Sequence, residues 1–239
     1  MISVCMATYN GEKYIEEQVK SILSQLAEED ELVVSDDGST DGTIKILENF
    51  GDKRIKIFKH SRNLNNKHPF YPSTKNFENA LTKARGDYIF LSDQDDVWMP
   101  DKIQTTLPFL KENNLVVSDA WIINENFEKQ EMLSKYMPYK KGYFKNLFKC
   151  TTQGCRIAFT KNIKDFCLPF PSGVIIHDFW IRQLVELKFK VSYIPKPLIF
   201  YRQHSNNLSK IVKSENSLFF MLKYRVIILF ESLRRYLSR

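Results

Sequence analysis

The run Tyr88-Ile89-Phe90-Leu91-Ser92-Asp93-Gln94-Asp95-Asp96-Val97-Trp98 passes from an apolar strand into three acids within four positions. A short apolar run that follows Gly86 and ends in a polar cluster has the pattern of a buried strand. Three carboxylates packed at its end repel one another unless a cation or hydrogen-bond donors offset the charge. Residues i and i+2 of an extended chain point to the same side, so Asp93 and Asp95 can face one ion. Oxygen-rich sites of this kind suit Mg²⁺ or Mn²⁺, which bridge carboxylates to phosphate oxygens. The plainer alternative is a solvated acidic turn in which Asp96 orients backbone groups.

The same arrangement recurs on the N-terminal side. Strand-like runs at Ile2–Thr8, Glu31–Ser35 and Ile55–Lys59 alternate with helical spacing over Glu12–Leu26, Thr43–Phe50 and Thr74–Arg85. Alternation of this type predicts parallel βαβ units, and open α/β sheets bind ligands beyond the carboxyl ends of their strands. The polar clusters Thr8–Asn10, Asp36–Asp41 and Asp93–Asp96 are therefore expected to converge on one cleft. In Asp36-Asp37-Gly38-Ser39-Thr40-Asp41-Gly42, helix capping accounts for Asp41 but not for the adjacent Asp36 and Asp37, which suit donors from a base or ribose. Neither GxxxxGK[ST] nor GxGxxG occurs, which argues against a P-loop kinase and a dinucleotide-binding dehydrogenase.

The second half is less regular. The expected elements are a helix from Pro100 to Glu112, a strand at Leu115–Ile123, a short helix within Lys140–Lys149, and strand-like Gln153–Thr160. A helix follows at Phe179–Leu187, then two short strands, Val191–Ile194 and Leu198–Tyr201, with a turn at Pro195 and Pro197, and a helix at Ser217–Leu237. With 239 residues, 43% apolar, the chain suits one sizeable α/β domain. The four cysteines lack zinc spacing and are expected as free thiols. No basic-then-apolar leader opens the chain and no run of about 20 apolar residues occurs, so a cytoplasmic location is expected. The net charge of +7 is uneven: residues 1–50 carry three basic and eleven acidic side chains, residues 151–239 fifteen and five. A basic C-terminal part suits an anionic partner, while the acidic front and the lack of a recognition motif argue against nucleic acid.

Met6-Ala7-Thr8-Tyr9-Asn10-Gly11, Val34-Ser35-Asp36-Asp37-Gly38-Ser39-Thr40-Asp41 and Leu91-Ser92-Asp93-Gln94-Asp95-Asp96-Val97-Trp98, in this order, resemble the family 2 glycosyltransferases of the GT-A fold. The wording SDQDDVW is similar to the bacterial rhamnosyltransferase-like branch. The resemblance spans residues 1 to about 208. It implies a mainly parallel mixed sheet flanked by helices and an enzyme that inverts the anomeric centre of a nucleotide-diphosphate sugar, UDP- or dTDP-linked. Its acceptor would be a glycan or lipid-linked hydroxyl in surface polysaccharide synthesis. By that resemblance Ala7, Thr8 and Tyr9 line the base pocket and Asp36 bonds the pyrimidine. Lys75, beside Asn76, approaches the nucleotide. Asp93 lies near the ribose and Asp95 coordinates the Mn²⁺ or Mg²⁺. Asp178, in His177-Asp178-Phe179-Trp180, stands where the family has its base, although many members have Glu-Asp there. The stretch Tyr201–Asn207 resembles the loop that closes over the diphosphate, with Arg202 a phosphate partner and His204 a metal or phosphate contact.

Plainer roles stand beside these. Asp178 could cap its helix, His204 could hold no ligand, and Trp98 and Trp180 could be packing residues. A sugar nucleotidyltransferase and a non-catalytic nucleotide-sugar or glycan binding module are the competing functions. The expected organisation is a domain over 1–208, with a nucleotide-sugar half at 1–98 and an acceptor half at 99–208, and a basic helical segment at 209–239. That segment suits an anionic membrane surface at the inner face of the cell membrane, or packing against protein.

Overall fold

The structure is a computed structural model that describes residues 1–62, 66, 68–205, 207 and 217–238. The 208/209 boundary, Asn206, Glu215, Arg239 and part of the polar segment before α3 lie outside the described residues.

Four strands, β1 (Ile2–Thr8), β2 (Glu31–Asp36), β3 (Ile55–Lys59) and β4 (Tyr88–Ser92), are parallel neighbours in the order β3-β2-β1-β4. They are joined by α1 (Ile15–Leu23), α2 (Thr43–Asn49) and α3 (Phe70–Lys83). After the two-residue β5 (Val97–Trp98) and α4 (Lys102–Glu112) come β6 (Leu115–Ile123) and β7 (Lys129–Met132). Then follow α5 (Tyr143–Phe148), β8 (Ile157–Thr160), α6 (Lys161–Cys167), α7 (His177–Lys188), β9 (Val191–Arg202) and α8 (Leu218–Ser238). The sheet continues from β4 as β8-β6-β9-β5, with β7 on β6. β8 is antiparallel to both β4 and β6, whereas β6 and β9 are parallel, so the sheet is mixed. This is the α/β, GT-A architecture expected from the sequence.

Alternate residues of the strands serve opposite faces. Cys5, Val33, Ile89, Leu91 and Val117 face the layer of α3, α6 and α7, while Val4, Met6, Val34, Phe90 and Val116 face α1 and α4. Burial on both faces explains why these strands are unbroken apolar runs.

The sequence pattern does not predict β5, β7 or α6, α1 is shorter than Glu12–Leu26, α7 begins at His177 rather than Phe179, and three further differences concern the path of the chain. α3 starts at Phe70 rather than Thr74, because Pro72 falls in the first turn, where its missing N–H costs no intrahelical bond. The two short strands expected around Pro195 and Pro197 are one strand, β9, whose register against β6 shifts from Ser118↔Ile194 to Asp119↔Pro197. A local irregularity absorbs residues that cannot donate to the ladder. The segment expected as strand from Gln153 begins with a 3-10 turn at Gly154–Arg156 before β8.

Candidate active site

The carboxyl ends of β1 and β4 open into a cavity of about 860 Å³ that the first turn of α7 also lines. Ala7, Thr8, Tyr9, Asp93, Asp95, Asp178 and His204 all line it. Seven of the ten residues singled out in the sequence therefore share one space, drawn from β1, the 93–96 turn, α7 and the segment after β9.

Gln94 joins the two strand ends. Its Oε1 accepts from Thr8 Oγ1 (2.6 Å) and Tyr9 N (2.9 Å), and its Nε2 donates to Tyr9 O (3.2 Å). A Cβ on Gly11 would stand 2.4 Å from Gln94 Oε1, so glycine is required there for this clamp. Asn76 Nδ2 donates to Thr8 O (3.1 Å), and Gln18 Nε2 donates to Ser92 Oγ (2.7 Å) and Asp93 O (3.0 Å). Sequence reasoning passed over Gln94 as the middle of an acidic motif, and only its distance from Tyr9 in the fold reveals the clamp. Arg62, also unforeseen, places its guanidinium 3.7 Å over the exposed Tyr9 ring.

The 93–96 turn is bent rather than extended, so the alternation argument that paired Asp93 with Asp95 does not describe it. Asp93, Asp96 and Cys155 bring ligand atoms within 4.8 Å of one another, while Asp95 Oδ2 lies 2.8 Å from His204 Nε2. Burial first, then the charges of Asp95 and Asp178, push the Asp93 carboxyl up to about 7. Burial, with Asp95 and Asp93, raises Asp96 well above the usual range. Asp96 Oδ1 accepts from Arg202 N (3.1 Å), as an acid that orients backbone would, but its buried Oδ2 has no partner among the described residues. Burial also holds the Cys155 thiol well above its ordinary value, so the protonated sulfur is a poor ligand. The orphaned oxygen of Asp96 beside the Asp93 carboxylate, with Asp95 of the same turn paired to His204, fits a hard divalent cation, and Asp93, Asp95, Asp96 and His204 are the groups that can hold it.

Asp178 sits one residue inside α7, and its Oδ1 accepts from Phe179 N (2.7 Å). Burial outweighs the N–H groups of Phe179 and Gly154 and pushes it up to about 6. Its neighbour His177 stacks on Phe77 (centroids 4.1 Å apart), with burial lowering it to about 3 and its Nε2 unpartnered among the described residues. Gly154 is needed here, because a Cβ on it would stand 2.7 Å from that nitrogen.

Three singled-out residues lie outside the cavity wall. Asp36 accepts from Gly38 N (3.0 Å) and Ser39 N (2.9 Å), shaping its own loop, and faces a smaller recess with Lys59, His60 and Ser61. Asp37, which does line the cavity, pairs with His60 Nδ1 (2.6 Å), so each member of the Asp36–Asp37 pair has its own donors. Lys75 pairs with Glu78 (2.7 Å). Arg202 donates from Nε to Asp95 O (2.9 Å) and pairs with Glu17 (2.5 Å), bracing the acidic turn from behind. Trp98 and Trp180 are both buried packing residues, and the latter donates from Nε1 to Cys167 O (3.2 Å).

The model of the family described as "Glycosyl transferase family 2" matches residues 3–165. The chain belongs to this family. It is 32% identical over 214 residues to "dTDP-rhamnosyl transferase RfbG" of Shigella flexneri, covering 84% of this chain and 72% of that one. It is 31% identical over 159 residues to the Escherichia coli "UDP-Glc:alpha-D-GlcNAc-diphosphoundecaprenol beta-1,3-glucosyltransferase WfgD", covering 65% and 58%. Among solved structures it is similar to S. aureus TarS 1-349 in complex with UDP-GlcNAc, with a TM-score of 0.68 and 21% identity over 99% of this chain and 72% of that one. It is also similar to the mannosyltransferase PcManGT from Pyrobaculum calidifontis in complex with GDP-Man and Mn²⁺, with a TM-score of 0.57 and 17% identity over 100% and 64%. The protein is a glycosyltransferase of GT-A fold with relatives in bacterial polysaccharide synthesis. The family match ends before α7, so Asp178, Arg202 and His204 lie beyond it.

Proposed function

We propose that this glycosyltransferase moves a sugar from a nucleotide-diphosphate donor to a hydroxyl of a glycan or lipid-linked acceptor, with inversion, in bacterial surface polysaccharide assembly. The carrier is UDP or dTDP, with rhamnose the favoured sugar because a relative bears the name dTDP-rhamnosyl transferase. One observation carries the mechanism: the acidic turn and the Asp178 carboxylate line the same cavity from separate elements.

In this reading the base lies against Tyr9, with Ala7 and Thr8 beneath it and Arg62 at its edge. Asp36 serves the base indirectly, by holding the 36–39 loop, and Lys75, paired with Glu78, braces α3 beside the cavity. Mn²⁺ or Mg²⁺, held by Asp95 and His204 with Asp93 alongside, would neutralise charge developing on the leaving diphosphate. Arg202 keeps the turn in register for that task. Asp178 accepts the proton of the acceptor hydroxyl as that oxygen bonds to the anomeric carbon and the carbon–oxygen bond to the diphosphate breaks. Other acids support this choice: between residues 151 and 239 Glu186 is bound to Arg182, Glu231 to Arg234, and Asp165 is largely exposed beside Lys164, while Glu125, which also lines the cavity, is paired with Lys13.

Calorimetry of UDP and dTDP with Mn²⁺ or with chelator tests the metal assignment. Binding should require the cation and should be lost in Asp95→Ala. Equal affinity in chelator, or in a folded Asp95→Ala protein, would overturn it. Release of UDP or dTDP from a panel of nucleotide sugars identifies the donor, and no release from any member would favour a binding module.

A further inference from the structure

We propose that α5 and the outer face of α8 form one docking surface for an anionic lipid bilayer, on the acceptor side of the cavity. The proposal rests on the lipid-linked reading of the acceptor and assigns the surface that would meet the lipid.

α8 has two opposed faces. Tyr224, Ile228 and Ser232 are buried against the domain, and Arg235 donates to the carbonyls of Phe166 (2.7 Å), Leu168 (2.9 Å) and Pro169 (2.6 Å). Phe219, Leu222, Val226, Phe230, Leu233 and Leu237 point the other way and are 42% to 82% exposed. At 3.6 residues per turn these six lie within about 80° of one another, a single stripe about 27 Å long. No described helix is long and apolar enough to cross a membrane, so the stripe suits the plane of an interface.

α5 extends this surface. Arg225 of α8 donates to Leu147 O (3.0 Å) and Phe148 O (2.6 Å), and Tyr143 Oη meets Ser232 Oγ (2.7 Å). While Tyr143, Asn146 and Leu147 are buried, Phe144 and Phe148 are 68% and 67% exposed. Lys141, Lys145 and Lys149 are exposed around them. No acid occurs between Glu131 and Asp165 in the sequence. Aromatic rings among lysines that form no ion pair among the described residues complement an anionic leaflet. They oppose a second copy of this chain, since a twofold contact would set the lysines against themselves. The surface also adjoins the site. Cys150, two residues past α5, lines the cavity, as does His68, on which Phe220 of α8 stacks at 4.8 Å.

The test uses the full chain and vesicles of phosphatidylcholine alone or mixed equally with phosphatidylglycerol. The protein should co-sediment with the mixed vesicles only, and less so as salt is raised. Lys141→Ala/Lys145→Ala/Lys149→Ala should weaken binding about 100-fold, at about fivefold per lysine. Phe144→Ser/Phe148→Ser should reduce it as well. Both variants should keep wild-type melting and wild-type release of nucleotide from a soluble nucleotide sugar. That readout tests the glycosyltransferase reading separately. No binding to mixed vesicles, equal binding to neutral ones, or wild-type binding by both variants would overturn the proposal. So would a dimer in light scattering that Phe144→Ser/Phe148→Ser abolishes.

Discussion

Asp178 is held by two opposing influences. N–H groups at a helix start favour the carboxylate. Burial is the larger cause in the folded protein and raises the group to about 6. A carboxylate so placed is still mostly ionised at neutral pH and is a stronger base than an exposed one. Asp178→Asn keeps the shape and removes the basicity. Transfer should fall about 10²- to 10⁴-fold while nucleotide binding persists. The folded state has a raised pKa, so ionising Asp178 opposes folding above that pKa. The Asn variant should therefore be more stable at pH 8 by about 1–2 kcal/mol, a figure reduced for the group's partial exposure to the cavity. Denaturant melts and single-turnover kinetics check both parts. Transfer at near wild-type rate would put the base elsewhere, and lost nucleotide affinity would give Asp178 a structural role.

At the scale of elements, the ladder of β1 to β4 was legible because each strand is an apolar run ended by polar residues, a signal that depends on neighbours in sequence. What was missed depends on neighbours in space. β9 runs through Pro195 and Pro197 because a register shift against β6 accommodates them. The cation-type cluster gained Asp96 and Cys155 because the 93–96 turn bends toward the 3-10 turn before β8. In the same way Lys75 and Arg202 matched motifs, yet their side chains are engaged with Glu78 and Glu17. α8 carries a contact of this long-range kind. Tyr224 Oη accepts from the amides of Ile175 (3.3 Å) and Ile176 (3.0 Å), immediately before α7 and Asp178. Tyr224→Phe leaves two N–H groups without their acceptor and should cost about 1–3 kcal/mol. Because the loosened turn carries the base, kcat should fall severalfold with the donor KM nearly unchanged. Urea melts and steady-state kinetics test this, and equal changes in kcat and KM would mean that Tyr224 supports the fold alone.

Across the whole molecule, the site concentrates acids whose charges the fold does not balance by itself. Burial leads the causes that raise Asp93 to about 7, Asp178 to about 6, and Asp96 and Asp37 above their ordinary range. Each binds its proton more tightly folded than unfolded. The stability this contributes is fully present below the unfolded carboxylate range and is lost as pH rises through the folded values. His177 has the opposite sign: burial lowers it from 6.5 to about 3, so the unfolded chain binds the extra proton and stability rises with pH up to about 6.5. The two trends oppose one another below pH 6.5. Above it the imidazole no longer contributes, and Asp93 and Asp96 remain. In chelator the melting temperature should therefore fall between pH 6.5 and pH 8. Mn²⁺ binds the ionised carboxylates of the folded state, so it should raise the melting temperature by an increment that grows across the same window. Asp93→Asn should flatten the fall in chelator, whereas His177→Phe should steepen the profile's decline by removing its rising limb below pH 6.5. Differential scanning fluorimetry at constant ionic strength reads all four curves. The net charge of +7 lessens as pH approaches the isoelectric point near 9.1, which pushes melting upward. A flat or rising curve in chelator would mean that this global effect outweighs the acids of the site. An Mn²⁺ increment independent of pH would mean that the cation binds somewhere other than these carboxylates.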